Sequence, residues 1–354
     1  MGDAVPVIDI EGWWSGDAPV RARIAAAFDA ACRETGFLQV VGHRVDHGVR
    51  ARAFAAADEF FALTDDEKRL VEPPSRAVNR GYSARRSESL SYTLGETRPP
   101  DLAEAFIVGN DHAGNPLVTA GDPYYESERD RSFAPNLWPM RPARFRDAVW
   151  AYFWAARSLS HTLADVAALA LGLDDDFFRK RLDRSIETMR VNRYERRADE
   201  MVLDPGQMGL GAHTDYGILT VLMADTVPGL QVVARDGAWH DVVALPEGFV
   251  INLGDAMAVW TNDVWTSTIH RVTPATAPGA APRRSFAFFQ DGNHDAVMQC
   301  LPTCCSAERP ARYQPVTLGE HVTAKILGGR SLTDVANVAQ THTTRVSSLN
   351  DFAP

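Results

Sequence analysis

The hydrophobic rhythm of the chain changes near residue 186. Before it, apolar residues recur at helical spacing in "VRARIAAAFDAACRETG", which stops at Gly36, and again in "HGVRARAFAAADEFFAL". Thr64, ahead of "DDEK", offers a hydroxyl to open a further turn. "PVIDI" and "FLQVVGH" read as strands around the first helix. "EAFIVG" is one more strand-like piece in an irregular, proline-punctuated stretch from 72 to 140. An Ala-rich segment over 143–173 predicts the longest helix, with Gly172 near its end, and "DDDFFRKRL" predicts a short one.

After 186 short β-type runs alternate with turn signals: "ETMRVNRYE", "GILTVLMA", "GLQVVA", "WHDVVAL", "GFVINLG", "AMAVWT", "TSTIHRVT" and "SFAFFQ". Runs of this length and spacing predict an antiparallel sandwich or barrel. The expected organisation is a mixed helix and strand region over 1–140, a helical connection over 141–186, a β-rich core over 187–316, and a C-terminal helix and tail over 317–354 that is a candidate pocket cover. No internal repeat or low-complexity segment interrupts this plan.

Composition narrows the partners. With 354 residues, 45% of them hydrophobic and 23% charged, the chain suits a globular protein with a sizeable core. A formal net charge of −10 argues against a nucleic-acid surface and leaves a small-molecule substrate as the expected partner. No window has the apolar length of a membrane span. The N-terminus lacks a basic region followed by an apolar one, and position 6 is Pro, which disfavours myristoylation; a cytoplasmic protein is expected. Cys32, Cys300, Cys304 and Cys305 lack paired C-x-x-C spacing and read as reduced thiols. Oligomeric state is not legible, and monomer is the default.

The chemistry concentrates in "GAHTDYGILTVL". In an extended strand His213 and Asp215 project to one face, with α-carbons about 6–7 Å apart, while Thr214 faces away. Among the other histidines His270, in "STIHRVTP", is the best third ligand, because it sits mid-strand where a neighbour could bring it beside the pair. Two imidazoles and one carboxylate with open positions make the facial triad of non-haem Fe(II) oxygenases. Two other readings of these residues stay open: a polar cap at a strand entrance, and a zinc hydrolase site, although the helical H-E-x-x-H of the latter is missing.

"GAHTDYGILTVL", "GLQV", "VINLGDAMAVWTN", "STIHRV" and "PRRSFAFFQDGN" occur in that order. With "VPVIDI", "GFLQVVGH" and "EFFALTDDEK" upstream, nearly the whole chain resembles the isopenicillin N synthase-like family of Fe(II)/2-oxoglutarate-dependent oxygenases. The resemblance implies an α+β protein: a double-stranded β-helix (jelly-roll) core with a helical N-terminal region and flanking helices. It implies His213, Asp215 and His270 as iron ligands. Arg283 and Ser285 match the Arg-x-Ser pair that binds the distal carboxylate of 2-oxoglutarate, a role suited to a guanidinium fork. Arg284 is expected to face away as a surface arginine. Asn192 and Tyr194 match an Asn-x-Tyr pattern near the cosubstrate, although the chain continues Glu195-Arg196 where the family often has Pro-Pro.

The resemblance further implies Fe(II), 2-oxoglutarate and dioxygen as cofactor and cosubstrates, with succinate and CO₂ released as an unactivated C–H is oxidised. Hydroxylation is the expected outcome, with desaturation or cyclisation as variants and bacterial secondary metabolism as the setting. An iron oxidase using no oxoglutarate, and a non-catalytic binding protein on the same fold, are the alternatives. Phe289 shares the face of Arg283, Ser285 and Ala287 and is a candidate for the pocket wall. In "NRGYSARRSESLSY", Arg80 and Tyr82, near Arg85, Arg86 and Tyr92, are candidates for binding an anionic or aromatic substrate.

Overall fold

The computed structural model describes residues 5–75, 78–94, 98–111 and 121–331. It opens with strand β1 (Val7–Asp9), helix α1 (Ala18–Glu34), strand β2 (Phe37–Val41), helix α2 (His47–Phe61) and the short α3 (Asp65–Arg69). Asp17 and Asp46 cap the first two helices by accepting the Val20 and Val49 N–H groups, and Thr64 forms a reciprocal capping box with Glu67. Strands β3 (Gly81–Ser83) and β4 (Glu104–Gly109) follow, then α4 (Pro123–Glu128), α5 (Phe145–Ala170) and the single turn α6 (Arg179–Leu182).

The second half contributes β5 (Thr188–Tyr194), β6 (Leu210–His213), β7 (Leu219–Ala224), β8 (Leu230–Val233), β9 (Trp239–Asp241) and β10 (Phe249–Leu253). Helix α7 (Asp255–Trp260), β11 (His270–Val272), β12 (Arg283–Gln290), the small pair β13 (Val297–Met298) and β14 (Val316–Thr317), and α8 (Leu318–Ser331) complete it. One sheet runs β1-β2-β10-β7-β12-β5-β4-β3, antiparallel except for the β1–β2 pair; the other runs β6-β11-β8-β9. Together they form the jelly roll of an α+β protein.

Alternation along β12 separates inside from outside. Phe286 packs on Phe54 of α2 and Tyr152 of α5, Phe288 packs on Phe153, and the Gln290 amide donates to Ser160. Each phenylalanine buried this way contributes about 1.5–3 kcal/mol. The intervening residues face the second sheet, where Phe37, Leu222, Val250 and Ala287 meet Leu230 and Val232. Arg284 does turn outward, but it is no free surface residue: its guanidinium pairs with Asp225 and with Asp58 of α2.

One expected strand is a helix. All of "AMAVWT" but its last residue lies in α7, which starts at Asp255 and is buried throughout. A short run that is apolar on every side carries no period to distinguish strand from buried helix. Its placement matters, because the Asp255 N–H at its start donates to the Asp215 carbonyl at 2.9 Å.

Candidate active site

The β6–β11 ladder sets His270 directly opposite His213, with ring centroids 4.3 Å apart. Asp215 lies beyond the end of β6, in the loop that leads to β7, so strand alternation is not what aims it. Hydrogen bonds do this instead. Thr220 Oγ1 and Asn252 Nδ2 both donate to Asp215 Oδ2, at 2.5 and 2.6 Å. The freed Oδ1 stands 3.7 Å from Nε2 of both histidines.

Each imidazole is oriented from its other nitrogen. His213 Nδ1 donates to the Gly211 carbonyl at 2.8 Å, and His270 Nδ1 to the Thr268 carbonyl at 3.1 Å. With Nδ1 carrying the proton, both Nε2 lone pairs point inward. Burial, and then the His270 ring, push the His213 imidazole down to about 3. Three acceptor atoms within 4.8 Å of one another therefore converge, buried, on a point that offers no donor among the described residues. Such a set is costly unless a cation fills it, and two imidazoles with one carboxylate are the donor set for Fe(II).

Asp255, fully buried, braces both loops that carry these groups. It accepts Thr214 Oγ1 at 3.0 Å and Ser267 Oγ at 2.8 Å, and pairs with Lys325 of α8 at 3.4 Å. Thr214, expected to turn away from the pair, thus serves their positioning.

The neighbouring strands place four further residues as a square. Arg283 lies opposite Tyr194 and Ser285 opposite Asn192 in the β12–β5 register. Asn192 Nδ2 donates to Ser285 Oγ at 3.4 Å. Arg283 is only 5% exposed; its guanidinium lies over the Tyr194 ring at 5.2 Å and has no carboxylate or carbonyl partner among the described residues. A buried cation with unused donors fits a dicarboxylate cosubstrate.

A cavity of about 80 Å³ reaches His213 and Asp215; Leu90, Arg190, Tyr216, Phe289, Asp291 and Val322 line it. Phe289 is therefore where its strand face placed it. Arg190 and Asp291 were not singled out from sequence, although Arg190 lies one strand period before Asn192 and Asp291 one after Phe289. Arg190 pairs with Glu88 at 2.9 Å. Burial, and then the charges of Asp215 and Glu187, push the Asp291 carboxyl well up.

Arg80 and Tyr82, candidates for binding the substrate, lie away from this cavity. Both are almost fully buried and absent from this cavity's walls. Arg80 donates to the carbonyls of Asn79, Asn110, Ser132 and Ala134, and Tyr82 Oη donates to Glu104 at 2.7 Å. They border a separate cavity of about 470 Å³ with their polar atoms already engaged. Arg85 and Arg86 pair with Glu200, and Arg86 also with Asp204; the Tyr92 side chain lies outside the described residues. No helix among the described residues is long and apolar enough to cross a membrane.

Comparison with known proteins agrees with this geometry. Residues 5–141 match the model of the non-haem dioxygenase in morphine synthesis N-terminal region, and 185–292 that of the 2OG-Fe(II) oxygenase superfamily. A 2-oxoglutarate-Fe(II) type oxidoreductase of Emericella nidulans is 34% identical over 90% of this chain and 88% of its own. The validamycin A dioxygenase of Streptomyces hygroscopicus subsp. limoneus is 29% identical over 95% and 88%. Among solved structures, a full-length Neurospora crassa protein in complex with alpha-KG and thymine superposes with a TM-score of 0.76 at 25% identity, covering 91% of this chain and 96% of that one. The chain belongs to the 2OG-Fe(II) oxygenase superfamily and is a 2-oxoglutarate- and Fe(II)-dependent dioxygenase.

Proposed function

We propose that His213, Asp215 and His270 hold the Fe(II), and that Arg283 with Ser285 grips the far carboxylate of 2-oxoglutarate. On this reading the enzyme hydroxylates an unactivated C–H of a small molecule seated in the cavity beside the triad. What carries the proposal is a pair of unmet valences on one inner face: among the described residues, three converging acceptors have no donor and a buried guanidinium has no acceptor.

Bound iron, with oxoglutarate and dioxygen, supplies an oxidant strong enough for such a C–H, coupled to release of succinate and CO₂. The chain's own part is orientation and exclusion of water. Thr220 and Asn252 fix which Asp215 oxygen faces the metal, and the Gly211 and Thr268 carbonyls fix both ring tautomers. Leu90, Phe289 and Val322 supply apolar wall. Asn192 steadies the Ser285 hydroxyl.

The substrate is small, since the cavity at the triad and the one adjoining it measure about 80 and 150 Å³. The Neurospora crassa protein holds thymine together with alpha-KG, and a heterocycle of that size suits this space. The Streptomyces relative is named for validamycin A, which makes secondary metabolism the setting we favour. The test has two stages. Anaerobic addition of Fe(II) and 2-oxoglutarate should produce the weak visible charge-transfer band of the chelate, and a small-molecule screen should then identify substrate-dependent succinate. Oxidation at full rate without oxoglutarate would sink the cosubstrate assignment.

A further inference from the structure

Asp291 is the ionisable group in the cavity wall for which neither the metal nor the cosubstrate has a use. Glu88 and Arg190 pair with each other, and Arg190 Nε also reaches Asn192 Oδ1 at 3.4 Å. Asp215 belongs to the triad. Asp291 is 4% exposed, and its one hydrogen-bond partner among the described residues is Thr188 Oγ1, at a long 3.5 Å. No cation among them lies within ion-pair distance of it.

Its position is built. A Cβ on Gly217, two residues after Asp215, would come within 2.4 Å of Asp291 Oδ1, so this glycine leaves the room the carboxyl occupies. Asp291 also stands in the wall common to the cavity at the triad and the adjoining one, together with Thr188, Val322 and Ile326. The carboxyl is thus enclosed by protein and still faces the space a substrate fills.

Formal charge sharpens the point. Fe(II), an oxoglutarate dianion, Asp215 and Arg283 sum to zero, and Glu88 cancels Arg190. Arg80 is the cation whose field reaches Asp291, but its guanidinium is committed to four backbone carbonyls, and Asp291 has no ion pair of its own among the described residues, an arrangement that is costly for a buried carboxylate. Phe289, on the same wall, adds an aromatic ring of the kind that favours an organic cation over a neutral group.

We propose that Asp291 is the specificity residue of this dioxygenase and that its substrate carries a basic nitrogen, which donates to Asp291 as an ammonium while the C–H to be oxidised faces the triad. This deepens the proposed function and rests on it. The probes are benzylamine, its neutral isostere benzyl alcohol, and benzoate, titrated anaerobically into the full chain loaded with Fe(II) and 2-oxoglutarate. Calorimetry and the perturbation of the chelate band report binding.

Benzylamine should bind about tenfold tighter than the alcohol, a difference of about 1.4 kcal/mol, and benzoate should bind weakest. In Asp291→Asn the amine preference should vanish. With the chelate band present, equal binding of amine and alcohol to the wild type overturns the anchor, and so does a preference that survives in D291N. Absence of the band in the wild type overturns the cosubstrate reading, and the anchor with it.

Discussion

The two ends of the inner barrel face are finished to different degrees. At the triad, every polar atom that does not point to the centre has a partner: both Nδ1 atoms meet carbonyls and Asp215 Oδ2 receives two donors. At the Arg283 end, the guanidinium is buried over Tyr194 with its donors unused by any of the described residues. The difference matches residence. A metal that stays gains from ligands oriented in advance, because their ordering is settled during folding. On the proposed assignment, a cosubstrate consumed each cycle would be drawn by a charge that no carboxylate among the described residues neutralises.

Four substitutions bear on this contrast. Asp215→Ala should have the largest effect, removing the charged triad member: no chelate band and no succinate, with circular dichroism showing the fold intact. Arg283→Met comes next. It should weaken 2-oxoglutarate about 100-fold, the loss of about 3 kcal/mol expected for a bidentate charge-assisted contact, as read by titration of the band. The same change should not lower the melting temperature of the metal-free protein, since it removes an unpaired buried charge; a marked drop would mean the guanidinium has a structural role and would erase the contrast.

Asn252→Ala should lower Fe(II) affinity about 10–100-fold, the range for a group that orients a ligand, measured by competition with a chelator. An unchanged affinity would show that Thr220 alone suffices to hold the carboxylate. Arg284→Met should do least. Next in sequence to Arg283 but on the opposite face, it should cost about 1 kcal/mol of stability through its partly exposed pairs with Asp225 and Asp58, and leave 2-oxoglutarate affinity untouched.

Legibility followed the range over which each residue finds its partners. The spacing of Arg283, Ser285 and Phe289 was readable because one strand with period two carries all three. His213 and Asp215 were paired by a strand argument that fails in detail, since β6 ends at His213 and Asp215 is aimed by Thr220 and Asn252. Arg190 sits on the same strand face as Asn192, yet an arginine between apolar residues reads as solvent-facing until its pair with Glu88, about a hundred positions away, is known. Arg80 and Tyr82 were named from the composition of their loop, which does not reveal that Ala134 and Glu104, distant in the chain, engage their polar atoms. The apolar run "AMAVWT" held no period at all; Asp255, just before it, starts the helix and ties it to the Asp215 loop.

Lys325 joins the far end of the chain to the loops of the triad. The carboxylate it meets, Asp255, is the brace shared by the loops of Asp215 and His270, and the lysine belongs to the last helix among the described residues. Docking of α8 therefore bears on both loops at once, through a single buried carboxylate.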